Sequence, residues 1–202
     1  MNKIRQSPPS FPTGCKIETA SINHDLKRIA LIINLAYQEK HAYLKDNAER
    51  VSLEELLEMI RDPHKKLYLY LNQNNEICGT VLLHLPDTTS RINKLFQWIF
   101  PKHFLKDDAE IGLLAVHPDH QRKKIGSILM EHAEHEAFST YRMRSIKLLV
   151  VLKALIVYYQ SLGYKDTGLR KKFIDKTLRY LRPEWKDKVI FTILKKQSNL
   201  HG

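Results

Sequence analysis

The stretch "EIGLLAVHPDHQRKKIGSILMEHAEHEA" (residues 110–137) decides how the chain is read. It opens as an apolar run that stops at Pro118, as a buried strand does when a residue without a backbone N–H ends its ladder. It closes as a helix. Between the two lies a short loop in which Arg122, Lys123 and Lys124 stand just before Gly126. A strand, a short loop and a helix leave the N–H groups of the first helical turn unpaired, and the helix dipole favours negative charge there. Gly126 allows an anion close to the backbone, and Gln121 and the three cations surround it with donors. The patterns G-x-x-x-x-G-K-[ST] and G-x-G-x-x-G are absent, which disfavours nucleotide hydrolysis and dinucleotide binding of the usual kinds. Two readings stay open on composition alone: a phosphate-gripping loop, or a basic turn on a basic protein.

Outward from this stretch, the rest of the chain reads as one α/β domain. "CKIETA" (15–20) alternates like a short strand, and residues 25–44 form a helix by the spacing of Ile29, Ile32, Ile33, Ala36 and Tyr37. Ser52 followed by Glu55 is a capping box that opens a second helix, closed by Pro63. "KLYLYL" (66–71) and "ICGTVLLHL" (77–85) predict a hairpin around "NQNNE". Residues 86–108 carry Leu95, Phe96, Trp98, Ile99 and Phe100, too apolar for a plain connection, and read as a helical insertion. That insertion reads first as a helix packed on the core, and otherwise as a candidate lid, substrate wall or homodimer contact.

After the strand 109–118 and the helix to about Thr140 come a strand at 145–151, a helix ending at Gly163 and a last strand at 189–196. Residues 165–188 form a basic segment with nine Lys or Arg against four acids. The order β-α-α-β-β-insertion-β-α-β-α-β describes a single domain with a mixed central sheet flanked by helices. The domain spans 15–196, between a proline-bearing leader (1–14) and a short tail (197–202).

The bulk numbers bound the function. The chain has 202 residues and a net charge of +11, which favours an anionic partner: nucleic acid, a membrane surface, a phosphorylated cosubstrate or an acidic acceptor. Cys15 and Cys78 read as two reduced thiols. There is no run of eighteen apolar residues and no secretory h-region, so the expectation is a cytoplasmic protein with no membrane segment. His132 and His135, three apart on the helix after the loop, read as a solvated face because no further zinc ligands accompany them. His117 and His120 flank Pro118 at the loop's rim.

Residues 110–137 and "YYQSLGYKDTG" (158–168) together resemble the GNAT superfamily of acyl-CoA-dependent N-acetyltransferases. The family carries Q/R-x-x-G-x-G/A at a helix start, matched by Gln121 through Gly126, and an aromatic-Tyr-x-x-x-Gly-Phe/Tyr element, matched by Tyr158, Tyr159, Gly163 and Tyr164. Two positions depart from it: Lys124 replaces the first glycine, and Leu152 replaces an asparagine often found seven residues before the tyrosine. A lysine keeps its backbone donor if its φ is helical and its side chain points outward, where it adds a cation near the phosphates.

The resemblance implies a GNAT (acyl-CoA N-acyltransferase) fold and transfer of an acetyl group from acetyl-CoA to a primary amine by direct attack, without metal. It implies that Leu114, Ala115 and Val116 offer backbone groups to the pantetheine arm where two parallel strands splay beside a bulge. It implies that Gln121, Arg122, Lys123, Lys124, Ile125, Gly126 and Ser127 hold the pyrophosphate, and that Tyr159 protonates the departing thiolate. Only one of Tyr158 and Tyr159 is expected to face the thiol, since a helix turns ~100° per residue. Glu110, opening the strand, is the candidate base. The alternatives are an acyl-CoA-binding relative without turnover, motivated by Lys124 and Leu152, and a basic nucleic-acid-binding module, motivated by 165–188.

Overall fold

The structure is a computed structural model of the whole chain, and it describes residues 12–40, 45, 49–86, 108–172, 182–185 and 190–198. The predicted insertion therefore lies almost entirely outside the described residues, as do the leader up to residue 11 and the tail beyond 198.

The elements run β1 (Lys16–Thr19), α1 (Leu26–Lys40), α2 (Leu53–Arg61), β2 (Lys65–Leu71), β3 (Ile77–His84), β4 (Asp108–Val116), α3 (Ile125–His135), β5 (Ser145–Val150), α4 (Lys153–Ser161), β6 (Lys165–Lys172) and β7 (Ile190–Gln197). They form one seven-stranded sheet in the order β1-β2-β3-β4-β5-β7-β6. Every neighbouring pair is antiparallel except β4 and β5, which run parallel. This is the mixed sheet flanked by helices that the sequence predicts.

β2 shows why the sheet has a core on each face. Leu67, Tyr68, Leu69, Tyr70 and Leu71 are all buried, and successive side chains of a strand point to opposite faces. Leu67, Leu69 and Leu71 join the cluster of Ile29, Ile32 and Ile33 from α1 and Leu56 from α2. Tyr68 and Tyr70 join the other cluster, with Leu129, Met130 and Ala133 from α3 and Tyr159 from α4. The capping box forms as the sequence predicts, Ser52 accepting from the Glu55 amide at 3.1 Å and the Glu55 carboxylate accepting from the Ser52 amide at 3.0 Å. Two further bonds, between Asn34 and the backbone of Val51 at 3.0 and 3.1 Å, tie the entry of α2 to the middle of α1.

Three expectations need correction. The basic segment 165–188 contains a strand: β6 pairs antiparallel with β7, and Asp166 binds Arg170 at 2.9 Å along it. A charged edge strand of this kind resists pairing with other chains. The helix after the loop leaves α geometry early, since Glu136–Thr140 form a single π turn. The face carrying His132 and His135 is packed, not solvated. His132 stacks edge-on against Tyr68 at 4.7 Å between ring centroids, and burial lowers its pKa. Glu134 between them is buried and binds Lys196 at 2.6 Å. Both cysteines are free, with Cys78 buried and Cys15 half-buried. Among the described residues no helix is long and apolar enough to cross a membrane.

Candidate active site

The site is built from backbone where β4 and β5 part. Their pairing runs from Asp108 and Ser145 to Ile111 and Leu148 and stops there, although β4 continues to Val116 and β5 to Val150. On its other side β4 stays bound to β3, but out of step: Thr80 opposes Ala115 while Leu82 opposes Gly112. One extra residue on β4 is a bulge, which bends the strand and increases its twist. Leu113, within it, has a φ of +46°, a region that non-glycine residues rarely enter. The Thr80 hydroxyl donates to the Leu113 carbonyl at 3.1 Å and fixes it there. Gly79 lets the two strands close up, since a Cβ on it would lie 2.9 Å from the Ala115 carbonyl oxygen. The outcome is that the β5-facing N–H and C=O groups of β4 beyond Ile111 have no strand partner.

These free groups line a cavity of about 530 Å³. Leu114, Ala115 and Val116 line one wall; Leu149, Val150 and Leu155 face them across the split. At one end stands the loop before α3. Gln121, Arg122, Lys124, Ile125, Gly126 and Ser127 all line the cavity, whereas the exposed Lys123 does not reach it. Ile125 is buried, so it offers only its backbone. His120 lies on the same rim, its pKa lowered by burial and by Lys123, while His117 accepts from the Asp119 amide at 3.3 Å instead.

Lys124 does not take a helical φ. It caps α3 at φ +62°, and Arg122 two residues earlier sits at +61°. Left-handed backbone at non-glycine residues costs about 1–2 kcal/mol each. Of the five such residues described, Leu113, Arg122 and Lys124 all belong to this cavity. Strain gathered in one place is the signature of a site whose geometry the surrounding fold over-determines.

The donor set fits a pyrophosphate. α3 has no side-chain N-cap and no acid in its first turn, so among the described residues its leading amides lack a capping partner and its positive end is not neutralised. A Cβ on Gly126 would touch nothing nearer than Val116 Cγ2 at 3.8 Å, and one on Gly112 would touch nothing within 4 Å. Protein packing therefore does not call for either glycine, and the room beside them opens to the cavity.

Both tyrosines of α4 line the cavity. The wall curves around the helix. Tyr159 is 8% exposed, and its hydroxyl makes no hydrogen bond among the described residues. Burial, with smaller contributions from Tyr37 and Tyr158, pushes its pKa well above the ordinary phenol value. Tyr158 instead meets Ser127 across the cavity, oxygen to oxygen at 3.3 Å. Glu110 lines the far end, its carboxylate 3.4 Å from the Lys147 ammonium on β5. Tyr37 and Arg50 stand in the lining as well, the guanidinium 5.2 Å above the phenol ring. Neither carries a sequence signal. Tyr37 reads as the apolar face of α1, and Arg50 precedes Val51, whose backbone Asn34 holds.

The fold agrees with solved acetyltransferases. The ribosomal-protein-S18-alanine N-acetyltransferase of Escherichia coli superposes with a TM-score of 0.61 at 18% identity, covering 93% of this chain and 96% of its own. The spermidine N-acetyltransferase of Vibrio cholerae in complex with CoA and spermine gives 0.64 at 15% identity, covering 93% and 97%. A GNAT family acetyltransferase of Elizabethkingia anophelis with acetyl-CoA bound gives 0.61 at 17%, covering 92% and 99%. No curated protein matches the sequence. The acetyltransferase (GNAT) family pattern matches residues 29–164, more than half of the chain. With that match, the split between β4 and β5 and the uncapped α3 facing it, the chain belongs to the GNAT acetyltransferase family.

Proposed function

We propose that the protein transfers an acetyl group from acetyl-CoA to a primary amine. The observation that carries the reading is the split sheet edge of β4 running directly into the unneutralised amides of α3. Acetyl-CoA supplies the acyl group as a thioester, already activated toward an amine. In this reading the amides of Lys124 through Ser127, with the Arg122 and Lys124 side chains, hold the pyrophosphate. The β5-facing backbone groups of the Leu114–Val116 stretch hold the pantetheine arm by strand-like hydrogen bonds. A backbone N–H at the bulge is a fixed donor where negative charge develops on the carbonyl oxygen, and it needs no rearrangement to act.

Two protons must move. An amine of lysine type has a pKa of about 10.4 and attacks only when neutral, so a base is needed at neutral pH. Glu110 takes that role, directly or through a water, with the Lys147 ammonium 3.4 Å from its carboxylate. Tyr159 gives its proton to the departing thiolate. Burial makes it a weaker acid than a free phenol, but the same dry surroundings raise the thiol's pKa from its usual value of about 8.5.

Titration with acetyl-CoA by calorimetry tests the binding half of the proposal. Micromolar binding is expected for the wild type and none for Gly126→Glu, which fills the open space with a side chain of the wrong charge. Tyr159→Phe is expected to bind acetyl-CoA normally and to release thiol at least about a hundredfold more slowly with any accepted amine. Absence of acetyl-CoA binding by the wild type would refute the proposal.

A further inference from the structure

We infer that the acceptor is an amine that also carries a carboxylate, such as an amino acid or a short peptide, and that Arg50 binds the carboxylate. This deepens the proposed acetyl transfer and rests on it. The described lining of the cavity carries three cations, Arg50, Arg122 and Lys124, against one carboxylate, Glu110. Arg122 and Lys124 belong to the loop that the cosubstrate's phosphates occupy. Arg50 comes from a different part of the chain, just before α2, and has no acidic partner among the described residues.

Its placement is built, not incidental. The residue after it, Val51, is buried and held by two hydrogen bonds to Asn34, and Ser52 is locked by the capping box. Arg50 is half-buried, and its guanidinium carbon lies 5.2 Å from the centroid of the Tyr37 ring, within cation–π range. The five N–H donors of a guanidinium lie in its plane and match a carboxylate in pairs. A cation held at the wall of a largely apolar cavity, with no anion of its own, is matched by an anion on the ligand.

The same inventory speaks against a polycationic acceptor. Glu110 is the sole described carboxylate in the lining and is already paired with Lys147 at 3.4 Å. A second ammonium on the acceptor would meet Arg50 and repulsion, whereas a carboxylate would satisfy Arg50 and leave Glu110 for the reacting amine.

The test uses acceptors that differ only in the carboxylate: lysine against cadaverine, phenylalanine against phenethylamine, and dipeptides with free or amidated C-termini, with spermidine as a polycation. Thiol release from acetyl-CoA gives kcat/KM for each. The expected ratio within a pair is about tenfold to a hundredfold in favour of the carboxylate. Arg50→Gln is expected to bring both members within about twofold of each other, and Arg50→Lys to keep part of the ratio. Equal efficiencies in the wild type, a preference for spermidine, or a ratio that survives Arg50→Gln would overturn the inference while leaving acetyl transfer standing. A raised KM for acetyl-CoA in Arg50→Gln with the ratio intact would assign the residue to the cosubstrate and overturn it too. No thiol release with any acceptor would overturn the acetyltransferase reading, and the inference with it.

Discussion

Lys124 offers a test in which the sign of the effect is decisive. It holds φ at +62° with its side chain exposed, so what it costs the fold comes from the backbone. An L-residue in this region loses about 1–2 kcal/mol to the contact between its Cβ and the following carbonyl. Glycine escapes that contact but loses more freedom on folding, by roughly 0.5–1 kcal/mol relative to alanine. The difference predicts that Lys124→Gly stabilises the protein by about 0.5–1 kcal/mol. Lys124→Ala keeps the Cβ and is expected to stay near the wild type. For a chain of this size the glycine variant should melt about 2–4 °C higher per kcal/mol.

Urea unfolding of the two variants measures the gap directly. At an ordinary helical or extended position alanine is the more stable of the pair, and only left-handed backbone reverses the order. Alanine equal to or more stable than glycine at 124 would refute the backbone assignment. Acetyl-CoA titrations on the same samples then separate charge from conformation. Both variants lose one exposed cation, so both should bind more weakly and with a shallower salt dependence, by similar factors. A loss confined to alanine would mean that the strained backbone, not the ammonium, is what the phosphates sense.

Two further outcomes follow from local geometry. Leu152 stands at the N-cap of α4 with extended dihedrals (φ −81°, ψ 127°) but has no side-chain acceptor to offer, so Leu152→Asn should stabilise by about 1 kcal/mol in urea unfolding. Asp62 caps α2 and accepts from Lys65 at 2.8 Å and from the His64 amide at 2.9 Å, which lowers its pKa below the ordinary 3.8. A depressed carboxylate contributes stability above its unfolded pKa and loses it as pH falls through the folded one. The stability gap between wild type and Asp62→Asn should therefore be constant at neutral pH and shrink below about pH 3.8, and a gap that widened in acid would contradict the assignment.

The sequence was most informative where side chains dictate backbone. Ser52 and Glu55 define a capping box by type and spacing, and the box forms. The apolar run from Ile111, the cations and Gly126 predict strand, loop and helix in the right order. It was least informative where pairing is decided at a distance. "KDTGLRKK" has no alternation and a glycine at 168, yet it is a strand because β7 offers it a free edge. The φ of Lys124 was illegible for the same reason, since nothing in a lysine side chain announces a left-handed backbone that the loop imposes. Arg50 could not be read as a site residue without the Asn34–Val51 pair, whose members lie far apart in the chain.

The departures at Lys124 and Leu152 look at first like losses, but the chemistry they touch is largely done by the main chain. In the proposed reading the pantetheine arm meets the β5-facing backbone of the Leu114–Val116 stretch, the phosphates meet a set of amides, and the bulge donor is an N–H. Each needs a dihedral angle and an open approach more than it needs a particular side chain. Lys124 supplies both: its backbone is left-handed, a conformation that glycine adopts readily, and its exposed side chain stays at the cavity rim. What the fold must then hold is the strain, and it does so with ordinary packing parts: the Thr80 hydroxyl on the Leu113 carbonyl, the close approach at Gly79, and Ile125 buried behind the loop. A substitution at Thr80 or Gly79 should accordingly damage cosubstrate binding more than the loss of the motif glycine does, although neither residue belongs to any motif.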